Sequence, residues 1–127
     1  MRILCLDDEP LALKLLEMCV RQAKPDADVA TFDDPDELLE DAEEHGCEIA
    51  FLDIHMRGMN GVEAAKRLKD INPKMNIIFV TGFSDYKGDA MDMKASGYIM
   101  KPVTKEDVER ELAEAAFPHY SKEKCAA

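Results

Sequence analysis

The chain has 127 residues, 46% of them hydrophobic and 34% charged, with a net charge of -11. That fits one globular domain able to bury roughly two thirds of its unfolded surface. The acidic balance argues against binding nucleic acid or an anionic membrane, because phosphate recognition needs a clustered positive field. No apolar run approaches the roughly 20 residues of a membrane span, and no basic stretch followed by an apolar core opens the chain.

The first apolar run, Arg2–Leu6, predicts a strand that stops on Asp7-Asp8-Glu9-Pro10. A helix follows over Leu11–Gln22, where Leu11, Leu15, Met18 and Cys19 recur at helical spacing. Val29–Phe32 is a weaker strand. Asp34 before Pro35 reads as an N-cap with proline in the first turn of a helix over Asp36–Glu44, which Gly46 closes. Glu48–Leu52 predicts a strand running into Asp53, and Val62–Asp70 a helix closed by Asn72-Pro73. Asn76–Val80 is a third strongly apolar strand, ending before Thr81. Asp85–Lys94 reads as a weakly stable helix, with Gly88 and alternating charges. Tyr98–Met100 is a short strand running into Lys101-Pro102. A helix over Lys105–Ala116 closes the pattern, with Thr104 and Asp107 as a capping box and Val108, Leu112 and Ala115 at helical spacing. These elements predict one domain over residues 1–117, with 118–127 a tail or the start of a linker.

Alternating strands and helices imply an α/β fold with a parallel sheet and right-handed crossovers. The first, third and fourth strands are nearly all apolar, as expected when helices cover both faces. The weaker second and the short fifth strand are the expected edges, giving a doubly wound five-stranded sheet of order 2-1-3-4-5. The order reverses between the first and third strands, and in such sheets the site lies at that switch point.

Asp7, Asp8 and Asp53 therefore meet at one rim. Two carboxylates about 4 Å apart at an effective dielectric of 20 repel by roughly 4 kcal/mol. Either a proton or a cation relieves them. Hard oxygen ligands with room for water favour Mg²⁺, and a carboxylate can also attack phosphorus to form an acyl phosphate. Lys101 supplies a compact cation for a phosphoryl oxygen, and Thr81 a hydroxyl donor. A lone acid after a strand is ordinarily a cap or a loop residue, as Asp33-Asp34 is expected to be. Here, however, four of the five predicted strands end in such groups.

The four cysteines, Cys5, Cys19, Cys47 and Cys125, show no C-x-x-C spacing and read as reduced, structural thiols of a cytoplasmic protein. His45, His55 and His119 are scattered, which argues against a histidine-rich metal site.

With these residues in place, the chain resembles the receiver domain of bacterial two-component response regulators, similar to CheY over nearly its full length and of flavodoxin-like fold. The run Asp53-Ile54-x-Met56-x-Gly58-Met59-Asn60-Gly61 matches the family's loop after its acceptor. Asp7-Asp8-Glu9-Pro10-Leu11-Ala12 and Thr81-Gly82-Phe83 resemble the receiver halves of LytTR-type regulators. The resemblance implies that Asp53 accepts phosphate from a histidine kinase. It implies that Asp7, Asp8, Asp53 and the His55 backbone carbonyl serve Mg²⁺, and that Lys101 precedes a cis proline. It further implies that Thr81 and Tyr98 form a switch altering the face of the last two helices and the fifth strand. That face would control an effector domain or output protein, with the chain a monomer or a phosphorylation-enhanced homodimer. Arg57 departs from the pattern, standing where the family usually has proline; this frees the loop's backbone and adds a cation near the site.

Two other readings are weaker. A phosphatase or phosphotransferase of the haloacid-dehalogenase type needs a second aspartate two residues after its nucleophile. Here Asp7 is followed at that spacing by Glu9 and Asp53 by His55. A degenerate receiver acting only as a protein-binding module is opposed by the full set of site residues, though Arg57 leaves room for it.

Overall fold

The computed structural model describes residues 1–56, 59–82 and 95–115. The predicted helix over 85–94, Arg57 and the tail after residue 117 lie outside the described residues. The elements are β1 (Arg2–Leu6), α1 (Pro10–Ala23), β2 (Asp28–Phe32), α2 (Pro35–His45), β3 (Ile49–Leu52), α3 (Gly61–Ile71), β4 (Asn76–Thr81), β5 (Gly97–Met100) and α4 (Lys105–Ala113). All neighbouring strands pair in parallel, in the order β2-β1-β3-β4-β5. Order and edges are those expected from strand composition.

Strand parity divides the core. Leu4, Leu6, Ala50, Leu52, Ile77 and Phe79 face α2 and α3, whereas Ile3, Cys5, Ile49, Phe51, Ile78 and Val80 face α1 and α4. Burying a side chain such as Phe51 or Phe79 contributes roughly 2 kcal/mol, so the central strands supply the main drive for this register.

The expected punctuation appears at the helix ends. The Asp34 side chain accepts from the Asp36 N–H at the start of α2, and Gly46 ends that helix at φ 71°, a conformation that only glycine adopts without strain. Thr104 and Asp107 form the reciprocal capping box of α4.

Of the apolar spacing read on α1, only Cys19 falls on the buried side. Leu16, Cys19 and Val20 are buried against the sheet, while Leu11 is 87% exposed, Met18 48% and Leu15 39%. The two stripes lie roughly a third of a turn apart at 3.6 residues per turn. Because α1 is apolar on both, spacing alone could not choose. Packing against the sheet chooses the phase, and in the turn into Pro10 the Glu9 N–H donates to Asp7 Oδ1 at 2.9 Å.

At the amino rim of the sheet, the Arg2 guanidinium pairs with Asp41 of α2, lies 3.4 Å from Asp28 of β2, and donates to the Gly46 carbonyl at 3.3 Å. The Arg2 backbone N–H donates to the Glu48 carboxylate at 2.6 Å. This cluster joins β1, β2 and α2 at the end opposite the acids.

Glu111 of α4 is buried against β5. A Cβ on Gly97 would fall 1.8 Å from Glu111 Oε1, so glycine is what makes room for this carboxylate. Burial raises the Glu111 pKa against the opposing pull of Arg110. An acid whose folded pKa exceeds its unfolded value binds more protons when folded, so stability falls as pH rises through that window. Glu111→Gln should therefore unfold at higher urea than the parent at pH 7. The advantage should vanish below the ordinary glutamate value of 4.5, as chemical denaturation across pH would show.

Candidate functional site

The rim is assembled by backbone ladders that run one residue past the strands. The Asp7 N–H donates to the Phe32 carbonyl at 3.2 Å, the Asp53 N–H to the Leu6 carbonyl at 2.9 Å, and the Lys101 N–H to the Thr81 carbonyl at 2.9 Å. Each charged residue thus keeps strand-like backbone, and its side chain leaves at a fixed height above the sheet.

Those side chains converge. Carboxylate oxygens of Asp7, Asp8 and Asp53 lie within 4.8 Å of one another. Asp7 and Asp53 are buried, and Asp8 is more open. Lys101 reaches across from β5, placing Nζ 2.8 Å from Asp7 Oδ2 and 3.4 Å from Asp53 Oδ2. The Lys101–Pro102 peptide is cis, as the resemblance implied. Asp8, Asp53, His55 and Lys101 line a pocket of about 430 Å³, together with Glu9 and Gly82.

The electrostatics follow from burial. Desolvation and then the Asp7 charge raise the Asp53 pKa, while Lys101 and the His55 backbone N–H work against them. Burial opposes the Lys101 charge, but the Asp7 hydrogen bond and the charges of Asp53 and Asp7 prevail and raise its pKa. Asp53 is therefore a carboxylate with unmet demand for positive charge, a condition that favours nucleophilic use or metal binding.

Thr81 is fully buried at the end of β4, one strand away from Asp53. In the register of β4 and β5, Phe79 pairs with Tyr98 and Thr81 with Met100, so Thr81 and Tyr98 share one face of the sheet. The half-buried Tyr98 ring lies 6.4 Å from the Phe79 ring, centroid to centroid, at 57°. Tyr98 thus borders the core rather than the carboxylate pocket.

The residues expected at the rim are brought together there: Asp7, Asp8, Asp53, His55 and Lys101. Sequence reasoning did not single out Glu9 or Gly82. Glu9 lay within the acidic run but was read only as its end. Its N–H fixes the Asp7 carboxylate, so the turn itself belongs to the site.

Comparison with known proteins agrees with this geometry. A family model for the response regulator receiver domain matches residues 3–113. A sensory transduction protein LytT of Enterococcus faecalis is 30% identical over 116 residues, 91% of this chain and 48% of that protein. The positive alginate biosynthesis regulatory protein of Pseudomonas aeruginosa is 32% identical over 125 residues, 94% of this chain and 48% of its own length. The chain thus spans about half the length of the curated relatives it matches. Among solved structures, a CheY-like receiver domain protein from Methanospirillum hungatei superposes with a TM-score of 0.80 at 27% identity, covering 89% of this chain and 90% of that one. The response regulator TrrA of Thermotoga maritima, solved in complex with Mg²⁺ and BeF, gives 0.78 at 26% identity, covering 88% and 96%. A five-stranded sheet of order 2-1-3-4-5, an acid triad with a lysine bridging two of its members, and a family match over residues 3–113 lead to one assignment. The chain belongs to the response regulator receiver domain family, on the branch that includes LytT, and is a phosphorylation-dependent signalling domain of two-component systems.

Proposed function

We propose that Asp53 is the phosphoacceptor, taking a phosphoryl group from a phosphohistidine of a partner kinase. The observation that carries this reading is the position of the Asp53 carboxylate. It lines the pocket beside Asp8 and lies 3.4 Å from Lys101. In the transfer, an Asp53 oxygen forms a bond to phosphorus while the P–N bond breaks and leaves its electron pair on the imidazole. Phosphoryl transfer asks mainly for positioning and charge neutralisation, which Lys101 and the ladder-fixed backbone supply.

The donor set fits a divalent cation. Three carboxylates against one ammonium leave a formal surplus of two negative charges, all on hard oxygens. Asp8 and Asp53 would hold Mg²⁺, with Asp7 acting mainly through water and the His55 backbone carbonyl completing the set. Bound there, the ion would neutralise charge on the transferring phosphoryl group.

Phosphorylation adds about two negative charges and three acceptor oxygens. We assign Lys101 and Thr81 to sensing that charge and Tyr98 to reporting it on the face formed by β5 and α4. The shared sheet face of Thr81 and Tyr98 supports this role. Residues 1–117 form the receiver and 118–127 a tail or linker, in a cytoplasmic protein whose output comes from an effector domain or a separate protein. Relatives about twice as long support an effector domain, through which transcription would be regulated; homodimers strengthened by phosphorylation belong to the same reading. Autodephosphorylation, through water reaching the same pocket, belongs to this reading too.

Acetyl phosphate with Mg²⁺ should add one phosphoryl group by intact mass, and Asp53→Asn should abolish it. An adduct that persists in that variant would mean another residue is the acceptor. Mg²⁺ titration followed through tertiary signals should saturate, and Asp8→Ala should weaken binding by at least about 10-fold, since even supporting partners count for that much. Lys101→Ala and Thr81→Ala should still accept phosphate, more slowly, yet leave the Tyr98 amide shift unchanged when beryllofluoride is added. A wild-type shift in both variants would remove Lys101 and Thr81 from the coupling.

A further inference from the structure

Gly61 opens α3 and lies directly against the end of β3. A Cβ at this position would sit 2.0 Å from the Asp53 carbonyl oxygen and 2.8 Å from both the Asp53 carbonyl carbon and the Ile54 Cα. All three are backbone atoms, so no side-chain rotation relieves the overlap. Reaching even 3.0 Å requires about 1 Å of main-chain movement.

The surroundings dictate where that movement goes. The Gly61 N–H donates to the Ile54 carbonyl at 2.8 Å, which ties α3 to residues 53–54. The Asn60 side chain accepts from the Glu63 N–H at 3.0 Å and fixes the first turn of α3. On the other side, the Asp53 N–H is held by the Leu6 carbonyl. The peptide linking Asp53 to Ile54 is the part left to rotate. The next N–H along, that of His55, donates to the Asp53 carboxylate.

We propose that Gly61 is a positioning residue for phosphoryl acceptance: by carrying no side chain, it lets the 53–54 peptide lie against α3 and aims the Asp53 carboxylate at the pocket it shares with Lys101. This rests on Asp53 being the acceptor. A misplacement of about 1 Å at a reacting group can lower a rate on the order of 100-fold, so the absent side chain is a requirement of the chemistry as well as of packing.

Gly46 provides the control. It lies at the opposite end of the sheet at φ 71°, and a Cβ there would meet nothing within 4 Å. Gly46→Ala strains the backbone and lowers stability without touching the rim. Both variants should unfold at lower urea than the parent. Only Gly61→Ala should move the amide shifts of Asp53, Ile54 and His55 in metal-free buffer, and slow acceptance from acetyl phosphate by 10-fold or more. Trimethylamine N-oxide, which favours the folded state, should restore the stability of Gly61→Ala but not its rate relative to wild type in the same solution. Full recovery of the rate, or unmoved shifts with a rate within 2-fold of wild type, would overturn the assignment. So would a variant that stays unfolded in the osmolyte, since Gly61 would then act in folding alone. A wild-type chain that takes no phosphoryl group, or takes one in Asp53→Asn, would instead overturn the acceptor reading.

Discussion

The parallel register of the central strands governs everything at the carboxyl rim. Leu6 pairs with Leu52 across β1 and β3, and Thr81 with Met100 across β4 and β5. Leu52 in turn pairs with Phe79, and Phe79 with Tyr98, so Asp7 and Asp53 emerge level while Lys101 follows two residues further along, an offset that its long side chain spans. A slip of one residue would turn each buried row to the opposite face, and the close packing of two differently shaped layers resists it. Hydrophobic packing some distance from the chemistry therefore sets the separations between charged groups.

Held in that register, the charges constrain one another. Lys101 bridges two buried carboxylates, and its attraction offsets the desolvation of Asp53 only in part, so Asp53 remains short of positive charge. A structural ion pair would be closed and fully matched. This one opens onto a pocket and includes the more accessible Asp8. Such an imbalance suits the proposed uptake of a cation and a phosphoryl group.

Much of this was legible in the chain because the relevant signals are local. Apolar runs ending on Asp7, Asp53 and Lys101 name both the strands and the rim, and Asp34, Gly46, Thr104 and Asp107 mark helix ends through chemistry within a few residues. The orientation of α1 was not legible, since Leu11, Leu15 and Met18 form as good a stripe as Leu16, Cys19 and Val20. Only docking on the sheet distinguishes them. Gly61 stood in plain view eight residues after Asp53, but its closeness to the Asp53 carbonyl joins a helix start to a strand end, and no spacing rule records that proximity. Glu111 was likewise unmarked, because its burial depends on the small residue facing it across β5.

The Arg2 cluster at the opposite rim has a mechanical consequence. It clamps β1, β2 and α2 where the strands begin, whereas the strand ends carry the charged pocket. The two rims thus divide the charges: Arg2 is matched by Asp28 and Asp41 at one end, while three carboxylates face one ammonium at the other. A change of charge at the pocket leaves the amino-rim pairs intact, so the sheet keeps an anchor that does not depend on the state of the pocket.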